Sequence, residues 1–266
     1  MHIKVVDLWK KYGNLEVLKG LNLEINPGET LVILGRSGVG KSVLLKQILG
    51  LETPDKGYVE IDGINISSIS SFQERSKVLK NMGMLFQGSA LFDSMTVGEN
   101  TGFYLYEHVD PILGESIPES EIEERVGEAL KMVGLEGSEK KMPSDLSGGM
   151  RKRAALARLI VYRPKLLLYD EPTTGLDPIT ASHINELINK TQKELNATSI
   201  VVTHDIRSAI EIGDRLAFHH DGKIIHIAPT EEFLKIDDPL LRSFLDEAIL
   251  TPEQLRKALK KKEHPT

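Results

Sequence analysis

Residues 30–42 read TLVILGRSGVGKS, in which an apolar run leads into a glycine-rich loop, and a helix-like stretch follows at residues 43–49. This order predicts a strand, a phosphate-binding loop and a helix. Glycines allow the backbone to curl so that several N–H groups face one point, and the helix dipole adds partial positive charge there. We therefore expect phosphate groups to bind at the loop residues Gly35, Arg36, Ser37, Gly38, Val39, Gly40, Lys41 and Ser42.

Two residues at the end of this loop have specific roles in the pattern. Lys41 is placed to reach the β- and γ-phosphates of a nucleotide, and the Ser42 hydroxyl is placed to bind Mg²⁺. A short pattern of this kind also occurs by chance in ordinary strand-to-helix turns. The strand-like and helix-like flanks favour the nucleotide interpretation.

A second apolar run, LLLYDE at residues 166–171, ends in two carboxylates. Consecutive apolar residues suit a strand buried on both faces, and ligands bind at the carboxyl ends of such strands. Asp170 is placed to hold the Mg²⁺ shell, and Glu171 is placed to polarise the water that attacks the γ-phosphate. The residues PTTGLD at 172–177 argue against an acidic pair that merely begins a loop.

The segment LSGGM at residues 146–150 completes the ordered set of motifs. The Ser147 hydroxyl and the amides of Gly148 and Gly149 stand at the start of a predicted helix over residues 150–161, where they form an anion site. This turn can hold a γ-phosphate only if the phosphate is bound to a second copy of the protein. The sequence therefore predicts one half of an ATP-driven clamp.

In this combination the chain resembles the ATP-binding subunits of ABC transporters, and the match covers nearly all of it. The resemblance assigns Tyr12, in KKYG at residues 10–13, to adenine stacking, with Trp9 as the competing aromatic residue. It assigns Gln87 to Mg²⁺ contact and to signalling toward the membrane partner. It also assigns His204, which follows the strand-like SIVVT at residues 199–203, to catalysis. Four other histidines have no such match, and we interpret them as structural or solvated: His183, His219, His220 and His226.

The same resemblance implies a fold, cofactors and an assembly. The implied fold is α/β, with a P-loop RecA-like core, an antiparallel β subdomain and an inserted helical subdomain. We expect the ABC ATPase domain over residues 1–240, its helical subdomain at about 88–163, and a C-terminal extension over 241–266. ATP and Mg²⁺ are the expected cofactors, and a homodimer that sandwiches two ATP molecules is the expected assembly, with Asp177 near its axis.

Three short segments narrow the resemblance. Met150, where most ABC ATPases carry Gln, is followed by RKR; residues 88–97 read GSALFDSMTV; and residues 173–178 read TTGLDP. Together they are similar to the ATPases of Mla/Mce-type lipid transport systems. That similarity implies a separate lipid-translocating permease, with accessory cytoplasmic and lipid-binding subunits as further partners.

The composition agrees with an ATPase subunit that acts on a separate membrane protein. The 266 residues are 40% hydrophobic and 27% charged, which provides a core for one large α/β unit or two smaller ones. No apolar run approaches the ~20 residues of a membrane helix, no signal-peptide pattern is visible and cysteine is absent. We expect a peripheral protein at the cytoplasmic face of the inner membrane. The formal net charge of −6 argues against nucleic acid as a partner.

Two other functions share the same ATP motifs. One is a small-solute importer of the amino-acid type, and the other is a soluble ABC-type ATPase of an assembly complex. A transport ATPase docks a short permease helix after Gln87, and apolar residues available for that contact are Leu91, Phe92, Met95 and Val97. Burial of these residues inside the helical segment is the competing interpretation.

Periodicity predicts several further elements. Residues 3–63 favour antiparallel strands around the phosphate-loop strand, and residues 118–134 favour a helix that Pro118 begins and Gly134 ends. We predict a helix over 179–195, a strand over 199–203 and a hairpin over 215–227 that turns at Asp221-Gly222. The segment 238–245 is similar to the end of Mla-type ATPases, and residues 251–262 predict a short helix that docks on a neighbouring chain or an accessory subunit.

Overall fold

A computed structural model describes residues 1–108 and 116–246 of the chain, and the strands of these residues form two sheets. The strands are β1 (Ile3–Tyr12), β2 (Leu15–Ile25), β3 (Thr30–Leu34), β4 (Lys56–Ile61), β5 (Ile64–Asn65), β6 (Met82–Leu85), β7 (Leu166–Asp170), β8 (Thr198–Thr203), β9 (Arg215–His220) and β10 (Lys223–Pro229). The first sheet is antiparallel, in the order β2-β1-β4-β5. The second has the order β10-β9-β3-β8-β7-β6.

The second sheet is parallel from β9 to β6, with β10 added antiparallel at one edge. Every residue of β3, β7 and β8 is buried, as expected for apolar strands covered on both faces. The prediction that antiparallel strands surround the phosphate-loop strand is therefore wrong in one respect. The antiparallel strands form their own sheet, whereas β3 pairs in parallel with β8 and β9.

The helices are α1 (Lys41–Ile48), α2 (Phe72–Leu79), α3 (Val97–Glu107), α4 (Glu119–Met132), α5 (Gly148–Ile160), α6 (Pro178–Leu195), α7 (Ile206–Ile212), α8 (Thr230–Phe233) and α9 (Pro239–Asp246). The predicted helix over 118–134 corresponds to α4, with Pro118 at its N-cap and Gly134 in the left-handed region just beyond its end. The predicted hairpin also forms, between β9 and β10. No helix within residues 1–108 and 116–246 combines the length and the apolar character needed to cross a membrane.

Two apolar clusters lie on opposite faces of the parallel sheet. One packs α1 and the antiparallel sheet against alternate residues of the central strands, such as Leu31 and Ile33. The other packs α3 to α7 against the opposite face, through residues such as Val32 and Leu34. Because side chains alternate along a strand, β3 contributes to both clusters and is held in place from both sides.

The C-terminal part of the described chain packs on the second cluster. Asp238 caps α9 by accepting hydrogen bonds from the amides of Leu240 and Leu241, and the Phe244 ring lies 5.1 Å from the ring of Phe218. The proposed domain boundary at residue 240 falls inside this helix. The predicted short helix over 251–262 lies outside the described residues.

The turn before α3 depends on one buried amide side chain. Asn100 is fully buried; its Nδ2 atom donates to the carbonyl oxygens of Phe92, Met95 and Thr96, and its Oδ1 atom accepts from the Phe92 amide. The side chain therefore closes the loop on the first turn of the helix.

We predict that Asn100→Ala removes the partners of the Phe92 amide and the Met95 carbonyl oxygen, and lowers the free energy of unfolding by about 2 kcal/mol. For a chain of this size, the melting temperature should fall by about 4–8 °C, measured by calorimetry. Asn14→Ala, at an exposed position, is the control. Equal melting temperatures for both variants would contradict the role of Asn100.

Candidate active site

The phosphate loop crosses from the end of β3 to the start of α1, and two of its glycines leave no room for a side chain. A Cβ atom at Gly35 would lie 2.6 Å from the carbonyl oxygen of His219. Gly40 is the N-cap of α1 with φ of 104°, and a Cβ atom there would lie 2.7 Å from a Val17 methyl group. The loop can therefore turn tightly into the helix, with its first amides free of side-chain caps.

Lys41 is folded across this loop. Its side chain is almost fully buried, and its Nζ atom donates to the carbonyl oxygens of Gly35 at 2.7 Å and Arg36 at 3.0 Å. The same Nζ atom lies 3.3 Å from Oε1 of Glu171. The cation thus joins the loop to the carboxylate that follows β7.

A pair of oxygen ligands suitable for Mg²⁺ lies beside it. The Ser42 hydroxyl donates to Oδ1 of Asp170 at 2.9 Å, and burial raises the pKa of Asp170 although this hydrogen bond opposes the shift. Among the described residues there is no cluster of three or more His, Cys, Asp or Glu side chains that could hold a metal. The pair fits Mg²⁺, which is commonly held by one or two protein oxygens with phosphate and water completing its shell.

Glu171 is the most highly connected carboxylate of the site. Its Oε2 atom accepts from the hydroxyls of Thr174 at 3.0 Å and Thr203 at 3.3 Å, and lies 2.9 Å from Nδ1 of His204. Burial alone would raise the pKa of Glu171, but the hydrogen bond from His204 and the charge of Lys41 hold it below its ordinary value. The carboxylate is therefore kept ionised, as a base requires.

The backbone at Glu171 is strained. Its φ angle is +48°, in the left-handed region that non-glycine residues seldom occupy. Its amide still donates to the Val202 carbonyl at 2.9 Å, which ties the residue to β8. Such strain persists only where the surroundings fix the conformation, and it is concentrated at functional sites.

A cavity of about 490 Å³ lies over these groups. Its lining includes nine residues predicted from the sequence: Tyr12, Ser37, Gly38, Gly40, Lys41, Ser42, Gln87, Glu171 and His204. Val17, Val43 and Thr174 line it as well and were missed, although Thr174 belongs to the segment TTGLD that the sequence singled out. Arg36 contributes its carbonyl oxygen to Lys41, while Val39 packs beside Gly35.

The structure favours Tyr12 over Trp9 as the aromatic residue of the cavity. The Tyr12 ring is 44% exposed and its hydroxyl donates to Glu52; desolvation, aided by that hydrogen bond, raises the pKa of Tyr12 to about 12. Trp9 instead donates from Nε1 to Asp7 and lies under the ammonium group of Lys56. Trp9 does not line the cavity.

The residues of the LSGGM segment, predicted to hold the partner's γ-phosphate, lie outside this cavity. Ser147 caps α5 by accepting from the Met150 amide at 3.3 Å. Ser147 and Gly149 line a separate cleft of about 740 Å³ between the end of α4 and the side of α6. No residue lines both this cleft and the cavity over the phosphate loop.

Asp177 also lies outside the cavity. Its carboxylate caps α6, because Oδ1 accepts from the amides of Ile179 and Thr180 at 3.0 and 3.1 Å. These hydrogen bonds, with the one from the Thr180 hydroxyl as the largest contribution, lower the pKa of Asp177. An aspartate followed by proline at the start of a helix is a recognisable cap signal in the sequence.

Comparison with known proteins places this site in a family. The family model for the ABC transporter matches residues 18–174. The probable ribonucleotide transport ATP-binding protein mkl of Mycobacterium leprae is 40% identical over 92% of this chain, which spans 68% of that relative. The chain belongs to the ABC transporter family.

Two other ABC relatives have different stated substrates. The intermembrane phospholipid transport system ATP-binding protein MlaF of Haemophilus influenzae is 40% identical, covering 91% of this chain and 89% of that protein. The Fe(3+) ions import ATP-binding protein FbpC 1 of Pectobacterium atrosepticum is 37% identical, covering 94% of this chain and 68% of that protein. Sequence identity to these relatives is nearly equal, at 37–40%, although their stated substrates differ.

A solved structure confirms the predicted ABC ATPase fold. The ATP-binding cassette MJ0796, in a dimeric post-hydrolysis state bound to ADP and Pi, matches with a TM-score of 0.77 and 33% identity, covering 86% of this chain and 98% of that one. This chain is an ATPase that uses ATP and Mg²⁺. The roles of individual residues remain predictions, which the geometry above makes specific.

We predict that Glu171→Gln retains ATP binding and lowers kcat by about 100-fold or more, because the amide preserves shape but removes the base. Steady-state ATPase assays and equilibrium binding measure the two effects. Glu136→Gln, at an exposed position, is the matched control. Wild-type turnover by Glu171→Gln would remove Glu171 from the catalytic role.

Lys41→Ala should act on binding. It removes the buried cation of the loop, and we expect ATP affinity to fall by about 10-fold or more, because hydrogen bonds to charged groups contribute strongly. Isothermal titration gives the dissociation constant, and Lys4→Ala on the exposed face of β1 is the control. If Lys41→Ala bound ATP as tightly as the control, the loop would have a different function.

Proposed function

We propose that two copies of this chain close over two ATP molecules and drive a separate membrane permease that moves phospholipid. The observation that carries the clamp is the separation of the two half-sites within one chain. The phosphate loop and Glu171 lie in one cavity, whereas Ser147 and Gly149 line another cleft that shares no residue with it. A second copy supplies the missing half to each site, and the dimeric state of MJ0796 supports this arrangement.

Binding and hydrolysis follow from the chain's own residues. The loop amides and Lys41 would hold the β- and γ-phosphates. Ser42, Asp170 and Gln87 would hold Mg²⁺, whose charge would stabilise the transferred phosphoryl group. Glu171 orients the attacking water and accepts its proton, and His204 keeps that carboxylate oriented through the 2.9 Å contact with Oε2.

The clamp converts this chemistry into movement. While ATP is intact, its γ-phosphate links one chain's loop to the partner's Ser147, Gly148 and Gly149. Cleavage separates the phosphate from ADP, the link is lost and the dimer opens. The α6 cap at Asp177 lies near the dimer axis in this scheme and couples the two sites. We retain residues 1–240 as the ATPase domain, with the helical subdomain at about 88–163.

An apolar groove supports a permease partner rather than a soluble assembly complex. Val97 is fully buried and Leu91 packs on the core, so these two residues serve the helical segment itself. Phe92 is 42% exposed, and its ring lies 4.8 Å from Phe103 and under the guanidinium of Arg158. Phe92, Phe103 and Arg158 line a groove of about 410 Å³, large enough for side chains of a short helix.

The lining of this groove is largely aromatic and aliphatic: Met84, Phe86, Ala90, Phe92, Phe103, Tyr104, Ala155, Arg158, Leu159 and Tyr162. Exposed apolar surface of this kind is typical of a protein contact. With such a partner the ATPase sits peripherally on the cytoplasmic face of the inner membrane, where accessory cytoplasmic and lipid-binding subunits complete the complex.

Phospholipid is the cargo that we favour, because MlaF is matched over 89% of its length, compared with 68% for FbpC 1 and for the mkl protein. The three short segments containing Met150, Phe92 and Asp177 support the same subfamily. An iron or other small-solute importer is the competing outcome.

The shared site is tested by mixing two inactive variants. Lys41→Ala removes the phosphate loop's cation, and Ser147→Arg blocks the opposite half-site. In a mixed dimer one site carries both changes and the other carries neither, so random pairing restores about a quarter of the wild-type sites. ATPase activity of the mixture should rise well above that of either variant alone. A mixture as inactive as its parts would contradict the shared site.

The partner and cargo are tested together on membranes. We expect Phe92→Ala combined with Met95→Ala to abolish copurification of the permease while ATP affinity and melting temperature stay unchanged. Asp93→Ala, at an exposed position between them, is the control. The wild-type complex, reconstituted in vesicles, should move a fluorescent phospholipid with ATP, and Glu171→Gln should not. Movement of ferric ion or amino acid instead of phospholipid would overturn the lipid assignment.

A further inference from the structure

Two cations on α5 hold the backbone that follows β6. Lys152 donates from Nζ to the carbonyl oxygen of Gln87. Arg158, six residues further along the helix, donates from Nη1 to the Ala90 carbonyl at 2.7 Å and from Nη2 to the Ser89 carbonyl at 3.1 Å. We call these contacts the α5 clamp. It attaches the segment carrying Gln87 to the helix that Ser147 caps.

The clamped segment has a costly conformation. Ser89 and Ala90 both have positive φ angles, of 66° and 50°, although neither is glycine. Left-handed backbone at such residues persists only where neighbouring groups hold it. The Arg158 guanidinium binds both of their carbonyl groups, so the clamp supplies that restraint.

Lys152 is unusual for a lysine, because only 5% of it is exposed. Burial lowers the pKa of its ammonium group, while the charges of Asp170 and Glu171 act in the opposite direction. A buried ammonium group near the catalytic carboxylates, bonded to the carbonyl of a residue lining the cavity, is poorly explained by helix stability alone.

We propose that Lys152 is a positioning residue for ATP hydrolysis, which holds Gln87 in place for Mg²⁺ by fixing its backbone to α5. The inference rests on the proposed function, in which Gln87 contacts the metal. Ser147 caps the same helix. The α5 clamp therefore also links the metal contact of one site to the γ-phosphate contact that the chain offers its partner.

Loss of the Lys152 charge and loss of its hydrogen bond have opposite effects on Mg²⁺. Removing a cation near Asp170 and Glu171 strengthens Mg²⁺ binding by simple electrostatics. Releasing the Gln87 backbone weakens Mg²⁺ binding, because groups that orient a metal ligand typically change affinity by about 10-fold or more. The sign of the change therefore separates the two roles.

The experiment measures ATP affinity with excess Mg²⁺ and with EDTA, in a Glu171→Gln background that prevents turnover. We define the Mg²⁺ gain as the ratio of the ATP dissociation constant in EDTA to that in excess Mg²⁺. For Lys152→Met we expect an unchanged dissociation constant in EDTA and a Mg²⁺ gain that is about 10-fold smaller. Lys152→Arg should restore most of that gain, because it keeps a donor and a charge. Arg153→Met is the matched control, since Arg153 lies on the same helix but donates to the Val133 and Gly134 carbonyls.

A double-mutant cycle tests the path through Gln87. If Lys152 acts on that residue, Lys152→Met should have little further effect on the Mg²⁺-dependent gain once Gln87→Ala is present. Additive effects would contradict the proposal, as would an unchanged or larger Mg²⁺ gain in Lys152→Met. A melting temperature reduced equally in Lys152→Met and Arg153→Met, with no Mg²⁺ effect in either, would establish a structural role instead.

Failure of this inference is distinguishable from failure of the proposed function. If Gln87→Ala leaves the Mg²⁺ gain intact, Gln87 has no metal contact and the proposed mechanism is corrected along with the inference. If Gln87→Ala removes the gain but Lys152→Met does not, the proposed function stands and the positioning role of Lys152 is overturned.

Discussion

The parallel pairing of β3, β8 and β7 is the constraint on which the active site depends. It aligns Leu34 with Thr203 and Asp170 with Val202, so the phosphate loop, the Asp170 carboxylate and the residues after β8 reach the same edge of the sheet. Alternate side chains of these strands pack into different apolar clusters, so a one-residue slip would move each of them into the wrong cluster. The distances within the site follow from that register.

Around this edge, charge is balanced within a small volume. Lys41 lies between two loop carbonyls and Glu171, while Thr174, Thr203 and His204 converge on the other oxygen of the same carboxylate. Each contact satisfies a polar group that burial would otherwise destabilise. The same contacts keep Glu171 ionised and hold its left-handed backbone, so the restraint and the reactivity of this carboxylate have a common origin.

Helix α5 connects three other parts of the proposed mechanism. Its first residue follows the Ser147 cap, its middle holds the Gln87 carbonyl through Lys152, and its far end holds the loop beside the apolar groove through Arg158. One helix therefore contacts the turn proposed for the partner's γ-phosphate, the loop proposed for the metal and the surface proposed for the permease. That geometry is suited to passing nucleotide state to a membrane partner, because a helix moves as a unit.

The amino-acid sequence alone determined most of the residues of the site, because glycine loops, buried strands and the carboxylates that follow them are visible as short sequence motifs. Those motifs predicted six residues that line one cavity: Ser37, Gly38, Gly40, Lys41, Ser42 and Glu171. The family resemblance predicted three more: Tyr12, Gln87 and His204. Tertiary structure alone decided that β3 lies in a parallel sheet, that Tyr12 rather than Trp9 faces the cavity, and that Val97 is buried while Phe92 is exposed. It also revealed the contact between Lys152 and Gln87, which are 65 residues apart. Periodicity shows which face of an element is buried, but contacts at such separation depend on which elements pack together, and a single sequence does not show that.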